Sequence, residues 1–412
     1  MRILYLHPRS WSGEYVLLRK FVSLGHTVFA LEEARAANRR SRWTTGHYAE
    51  RGDEIATLWY DPSRGVEKLC TWPFDRMFKR AFEGRNLAHR MLLIRAAVAE
   101  FTPDAIVASD GFSYAIPAAF LRCLGLLKPR FLASYIGGDI LDCPEAEVGK
   151  RRTFLTDWLI RSSISYPDIL RPVSPVMRDR LLADGASAER IRVIPSHLVD
   201  DLDALNKPYL ARKNLAVEMR RRHDLSTSAP VIITLGGNQK GKGLQLLARA
   251  WPKVLAALPE ARWLICGPES PWLAAAVLPL LAGFGVMSSV KVVGRVEGRS
   301  VFEHLASADL HVNPSLCEGL NMVTVEAAVV GTPTVSSDGA GIAEWIKRYG
   351  AGTVVEKGEV GPLADAIISA LSSRDQREVW SAAGRSLAAE FSLDRVSRDL
   401  LDCLEPVSKN PR

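Results

Sequence analysis

Pro230-Val-Ile-Ile-Thr-Leu235 runs straight into Gly236-Gly-Asn-Gln-Lys-Gly-Lys-Gly243 and then into a helical pattern, and this junction sets the reading of the chain. A short, unbroken apolar run closed by a glycine-rich turn predicts a strand buried on both faces that feeds a loop and a helix. Strand and helix alternate from there to about Gly352. An earlier cycle opens at Met1-Arg-Ile-Leu-Tyr-Leu-His7. It passes through the turn-rich loop Pro8 to Glu14 and a helical stretch to Leu24, then enters the strand Gly25-His-Thr-Val-Phe-Ala-Leu31, a β-α-β unit. Pro103 to Ser109 and Arg130 to Ile136 read as further strands ending in Gly/Asp-rich turns, where α/β sheets place ligands. The pattern predicts an α/β protein of two successive doubly wound domains, residues 1–200 and 201–391. The linker is expected within the polar stretch Ser196 to Thr227, which holds the Arg220-Arg-Arg222 run.

The bulk numbers narrow the function classes. A chain of 412 residues with 47% apolar and 24% charged residues is globular in composition and long enough for two ordinary domains. The first apolar run is too short for a signal-peptide core. The longest uncharged apolar run, Trp272 to Met287, is broken by Pro279 and Gly283 and falls short of the ~20 residues that a spanning helix needs. The expected location is therefore cytoplasmic or at the inner face of the membrane. Six cysteines lie scattered without C-x-x-C spacing, which argues against a metal or disulfide framework and leaves Cys317 as a small pocket-wall residue. Of the formal net charge of +7, six units fall in residues 1–200, so the first half suits an anionic acceptor or an anionic membrane surface. Nucleic acid is not expected as a partner, since basic and aromatic residues do not interleave.

The chemistry concentrates in Pro314-Ser-Leu-Cys-Glu-Gly-Leu-Asn-Met-Val-Thr-Val-Glu-Ala-Ala-Val-Val-Gly-Thr-Pro-Thr334. Glu318 falls in a Gly-containing turn and Glu326 on the helix that follows, so both can line a pocket at that helix's start. The first N–H groups of a helix lack intrahelical partners and attract phosphate, and carboxylates accept hydrogen bonds from sugar hydroxyls. Gly236 to Gly243 offers backbone N–H groups and the Lys242 ammonium to the same kind of ligand. It nearly spells a nucleotide-hydrolysing phosphate loop, but Gly243 replaces the hydroxyl that would hold magnesium.

These segments resemble the retaining GT-B glycosyltransferases of family 4, the group 1 glycosyltransferases, through the Glu-x7-Glu element Glu318/Glu326. Val292 to Val296 and Leu305 to Ser315 extend the resemblance upstream, and Gly331 to Glu344 extend it downstream. The resemblance implies a GT-B fold of two Rossmann-like domains facing across a cleft. The first binds the acceptor, the second binds a nucleotide-sugar donor, and a terminal helix near residues 392–412 packs back on the first domain. It implies sugar transfer from a nucleoside diphosphate to a hydroxyl acceptor with retention, without a metal or other cofactor. Glu326 would hold the ribose, Glu318 the donor-sugar hydroxyls, and the backbone of Gly319, Leu320, Asn321, Met322 and Val323 the sugar and phosphates. Lys242-Gly243 matches the diphosphate-binding pair. Gly237 stands where the family carries arginine, so Lys240 or Arg295 would supply that charge. Gly13 matches a first-loop glycine at the donor phosphate. Asp139 fits the Gly-x-Asp strand end, with a role at the acceptor hydroxyl or in the turn, while Ile136 occupies the family's histidine place.

Two further features stand outside this resemblance. Phe74, Phe78 and Phe82, with Arg76, Lys79 and Arg80 off their line, suit a helix packed on a sheet or resting on an anionic bilayer. Asp201-Leu-Asp203 fits a metal-binding pattern of another transferase fold but falls in the expected linker. The rivals to transfer are a nucleotide-sugar epimerase of the same architecture and a degenerate subunit that binds donor or a partner without transfer, the latter motivated by Gly237 and Ile136.

Overall fold

The computed structural model describes residues 1–6, 12–33, 56–60, 87–199 and 212–405. The chain divides into two compact units. Met1–Asp142, Gly149–Val199 and Leu393–Arg412 form the first, and Cys143–Val148 with Asp200–Ser392 form the second. The Phe74 stretch and Asp201-Leu-Asp203 lie outside the described residues.

Each unit is built on one six-stranded sheet in which every pair is parallel. Strands in the first unit are β1 (Arg2–Leu6), β2 (Thr27–Glu33), β3 (Ala56–Tyr60), β4 (Ala105–Ala108), β5 (Arg130–Tyr135) and β8 (Ile169–Pro172), in the order β3-β2-β1-β4-β5-β8. Between them β6 (Asp142–Cys143) and β7 (Val148–Gly149) form a separate two-stranded hairpin. The second unit repeats the order as β11-β10-β9-β12-β13-β14, with β9 Val231–Leu235, β10 Arg262–Cys266, β11 Val290–Gly294, β12 Leu310–Asn313, β13 Thr334–Ser337 and β14 Gly352–Val355. Two doubly wound α/β units were expected, and both are present. In each, the winding reverses between the first strand and the fourth, so the loops leaving β9 and β12 part there and open the crevice where such sheets bind ligands.

The strands read as apolar runs because helices cover both faces. Ile3 to Leu6 and Val231 to Thr234 are buried without interruption. The second core centres on Trp251 and Trp263, whose rings lie 5.8 Å apart. Each indole N–H finds an acceptor, Ser289 Oγ at 2.8 Å and Thr234 Oγ1 at 3.0 Å, as a buried indole requires. Trp263 thereby braces the end of β9 from which the glycine-rich loop departs.

The helix Leu393–Leu404 belongs to the first unit. Val396, Leu400, Leu401 and Leu404 share one face and join Ile3, Tyr5, Leu18 and Phe21 in its core. Lys20 pairs with Asp394, and Arg130 Nε donates to the Cys403 carbonyl at 2.7 Å.

Two local expectations are revised. The arginine run expected in a linker lies on the helix Arg212–Arg222, which packs on the helix Arg299–Ser307. Arg220 is buried, donates to the carbonyls of Thr227 and Ala229 at 2.8 and 2.7 Å, and pairs with Asp309 at 2.7 Å. Its guanidinium thus closes the turn into β9, because one planar fork can satisfy several carbonyls at once. Gly13 was expected in a loop and stands in the first turn of the helix Ser12–Ser23, buried.

Candidate functional site

The loops leaving β9 and β12 diverge at the second unit's winding reversal, and their turns are bridged beyond it. Leu316 N–H donates to the Gly241 carbonyl at 2.8 Å, which holds the glycine-rich turn against the Pro314–Asn321 turn. Gly243 makes this approach possible. Its φ is +71°, and a Cβ there would sit inside the Pro314 carbonyl oxygen. Lys242 ends the short turn Lys240–Lys242, and the helix Leu244–Ala257 starts directly after Gly243.

Glu318 is the hub of the site. Its Oε1 pairs with Lys242 Nζ, and its Oε2 accepts from Ser315 Oγ at 3.0 Å and Asn321 Nδ2 at 2.8 Å. The backbone around it is equally tied. Glu318 N–H donates to Gly339 O at 2.9 Å, and its own carbonyl accepts from Gly341 N–H at 3.0 Å. The carboxylate is therefore aimed by two neutral donors and one cation on a fixed turn, which is the pre-organisation that a hydroxyl-binding or charge-stabilising acid needs.

Asn321 begins the next helix, Met322–Val329, from a left-handed conformation with φ +83°. Asparagine tolerates that region because its short polar side chain bonds locally. Asn321 Oδ1 accepts from Thr324 N–H at 2.9 Å, while Nδ2 serves both Asn313 Oδ1 at 3.0 Å and Glu318 Oε2. With Thr324 capped by the side chain, the preceding N–H groups of Met322 and Val323 remain beyond the reach of any helical carbonyl and can meet an anion. Glu326 lies half-buried on this helix, one to two turns beyond its start. Gly319 and Leu320 are buried in the turn between the two acids. The holding residues Asn313 and Ser315 escaped the sequence reading, although the polar pair at the end of an apolar strand was a usable signal.

The remaining expected residues are distributed as follows. Gly237 follows β9 with nothing nearer to its missing side chain than Gln239 at 3.8 Å. Lys240 pairs with Glu147 at 3.5 Å and lies over the Trp272 ring at 5.8 Å. Arg295, just beyond the edge strand β11, is exposed and pairs with Glu297. In the first unit, Asp139 is buried and accepts from the N–H groups of Gly111 and Gly137 at 2.8 Å each and of Ile136 at 3.1 Å. Burial raises its carboxyl pKa against the pull of those amides. Both its oxygens are engaged in closing the β5 turn.

His311 lies under the glycine-rich loop, fully buried, with Nδ1 3.2 Å from Thr334 Oγ1. Burial, and secondly the Lys242 charge, push its pKa down to about 3. The His223/His304 pair, Nε2 to Nε2 at 3.2 Å, is also lowered, chiefly by burial. A histidine with a folded pKa below its unfolded value near 6.5 leaves stability intact above pH 6.5 and removes it as pH falls from there toward the folded value. Acid destabilisation of the second unit is therefore expected to set in below about pH 6.5. For His311 the loss reaches roughly 3 kcal/mol at about pH 4.5, two pH units below its unfolded value. Urea midpoints between pH 8 and 4.5 check this, and His311→Leu should flatten the acid limb.

A disulfide was not expected, yet Cys143 and Cys317 are joined, 174 residues apart in sequence. Short-range spacing rules see only neighbours, whereas here folding carries Cys143–Val148 onto the glycine-rich turn of the same unit. Cys317 is thus a bonded wall residue directly preceding Glu318.

Comparison with known proteins identifies the family. Residues 16–197 match the family model described as glycosyl transferase 4-like domain, and residues 229–373 match glycosyl transferases group 1. The chain is 26% identical to a GDP-mannose-dependent alpha-(1-6)-phosphatidylinositol monomannoside mannosyltransferase of Mycobacterium tuberculosis, over 68% of this chain and 73% of that protein. It is 30% identical to a D-inositol 3-phosphate glycosyltransferase of Xylanimonas cellulosilytica, over 55% of this chain and 53% of the other. Among solved structures it resembles Anabaena Alr3699/HepE in complex with UDP, with a TM-score of 0.72 at 16% identity over 98% of this chain and 99% of that one, a likeness of fold. Matched in both halves and carrying the GT-B fold, the chain belongs to the group 1 glycosyltransferases.

Proposed function

We propose that this glycosyltransferase takes its sugar from a nucleoside diphosphate and passes it to a hydroxyl acceptor with retention at the anomeric carbon, without a metal. The observation that carries the reading is the pairing of Lys242 with a doubly hydrogen-bonded Glu318 beside the start of the helix Met322–Val329. The diphosphate would lie against the Lys242 ammonium and the leading amides of that helix, which together supply the positive field that a departing diphosphate needs. Glu318 would exchange its bond to Lys242 for the donor-sugar hydroxyls, and Glu326 would accept from the ribose. Arg295 and the backbone from Gly237 and Gly319 to Val323 complete the proposed donor contacts. Retention follows a front-face path in which the leaving phosphate oxygen takes the acceptor proton as the sugar bond breaks. Asp139, its oxygens spent on amides, would shape the acceptor loop rather than move a proton.

The acceptor is proposed to be a glycolipid or polysaccharide precursor, in keeping with relatives named for phosphatidylinositol mannoside and inositol phosphate substrates. Among the described residues no helix is long and apolar enough to cross a membrane. The excess of positive charge in residues 1–200 suits an anionic headgroup, and we place the enzyme in the cytoplasm at the inner membrane face.

Thermal melting with UDP-, GDP- and ADP-sugars, added singly, tests the donor reading. A donor held at about 100 times its Kd adds roughly 2.7 kcal/mol and raises Tm, and Lys242→Ala abolishes the rise. No shift with any of the three removes the reading. Gly237 and Ile136, where the family carries arginine and histidine, are the departures that would suit a subunit binding donor without transferring it. Nucleoside diphosphate released in step with acceptor consumed rules it out, and conversion of the donor with no acceptor present would indicate epimerase chemistry instead.

A further inference from the structure

The hexapeptide Cys143–Val148 is assigned by its contacts to the second unit, although its chain neighbours on both sides belong to the first. It touches the proposed donor turn at three points. Cys143 is bonded to Cys317, the residue before Glu318. Glu147 pairs with Lys240 at 3.5 Å. Ala146 O and Val148 Cγ2 crowd the face of Gly241, where a Cβ would meet them at 3.2 and 3.0 Å. The segment is held in a defined shape by the short turn Pro144–Ala146, by Glu147 in the left-handed region at φ +58°, and by its return as β7.

The three contacts are unequal. The ion pair is exposed, with the Glu147 side chain 67% accessible, so solvent screens it and it adds little. The van der Waals contact at Gly241 involves only a few atoms, each of which contributes little. Without the covalent bond these would not overcome the entropy of ordering six residues. We propose that the Cys143–Cys317 disulfide is a positioning device for Glu318 that clamps residues 143–148 onto the Lys240–Lys242 turn and makes donor affinity sensitive to thiols. It rests on the donor-site reading given above.

The chemistry is ordinary exchange. A thiolate of a dithiol attacks the Cys143 sulfur, the half-buried one of the two, and Cys317 leaves as a thiolate that takes up a proton. The second thiol of the reagent then closes its own ring and releases Cys143. Two electrons and two protons pass from dithiol to protein, and a small disulfide such as oxidised glutathione reverses the step.

Full-length protein, oxidised and dithiothreitol-reduced, is to be compared with the Cys143→Ser/Cys317→Ser double variant. Hydrogen exchange over residues 140–150 and 236–243 reads the clamp without any donor, and steady-state kinetics with UDP-glucose and GDP-mannose read its effect. Reduction is expected to deprotect both segments and to raise donor KM about tenfold with kcat within about twofold, the loss of a pre-organised site rather than of a reacting group. The double variant should match the reduced wild type and ignore the reagent. Unchanged exchange on reduction, or alkylation of both cysteines in the untreated oxidised protein, overturns the proposal, as does a donor KM that falls or stays level. If neither sugar nucleotide is used in either form and no UDP-, GDP- or ADP-sugar shifts the melting temperature, the donor reading fails, while the exchange result still decides whether the clamp exists.

Discussion

Lys242→Ala is expected to lower kcat/KM by roughly 10²–10³-fold, the range seen when one pre-organised stabiliser of developing charge is removed. Two effects combine in that loss. The donor diphosphate forfeits the ammonium that pairs with Glu318, and the Glu318 carboxylate, 19% exposed, is left among the described residues with the neutral donors Ser315 Oγ and Asn321 Nδ2. A double-mutant cycle with Glu318→Gln separates them. If the ammonium acts mainly on phosphate, the two losses add. If it acts mainly by holding the acid, the double variant is little worse than either single one. Lys242→Arg should recover only part of the activity, because the fork of a guanidinium does not fit the place of a point charge. Full activity in Lys242→Ala would remove the lysine from the chemistry altogether.

Gly243→Ala should be the most damaging single methyl group in the second unit. Two penalties coincide there, a left-handed φ of +71° and a Cβ placed inside the Pro314 carbonyl oxygen. The backbone conformation alone costs about 1–3 kcal/mol, and relieving the overlap must push the glycine-rich turn away from the Pro314–Asn321 turn. The Leu316 to Gly241 hydrogen bond and the Lys242–Glu318 pair both span that gap. Urea unfolding should show a loss on the order of 3 kcal/mol, with activity falling further than stability, since the surviving fold would hold the cation and the acid out of register. Gly283→Ala, at a position where a Cβ meets nothing within 4 Å, is the control and should leave both unchanged.

Those two positions were readable in different degrees. The strand-then-glycine junction at Leu235/Gly236 is local, so periodicity reveals it, and the same holds for β1, β9 and the other buried parallel strands, whose apolar runs reflect helices on both faces. The turn and helix carrying Glu318 and Glu326 were legible because caps and turns leave signatures within a few residues. What stayed hidden depends on contacts distant in sequence. Arg220 was expected within the polar linker stretch, yet Asp309 and the carbonyls of Ser226, Thr227 and Ala229 draw it inside. Cys143 gave no sign of its partner because nothing within its neighbourhood specifies Cys317. Asn313 and Ser315 acquire meaning only once β12 brings them under Asn321 and Glu318.

The placement of Leu393–Leu404 has a consequence for biosynthesis. Its apolar face completes the core built on β1, which lies almost 400 residues earlier in the chain, so the early part of the first unit emerges and must wait, unfinished, while the second unit is translated. The nascent first unit therefore exposes Ile3, Tyr5, Leu18 and Phe21 along their uncovered edge throughout that interval. Synthesis of this enzyme should lean on chaperones that hold the early chain, and stop codons placed just before Leu393 should yield aggregates rather than a shortened transferase.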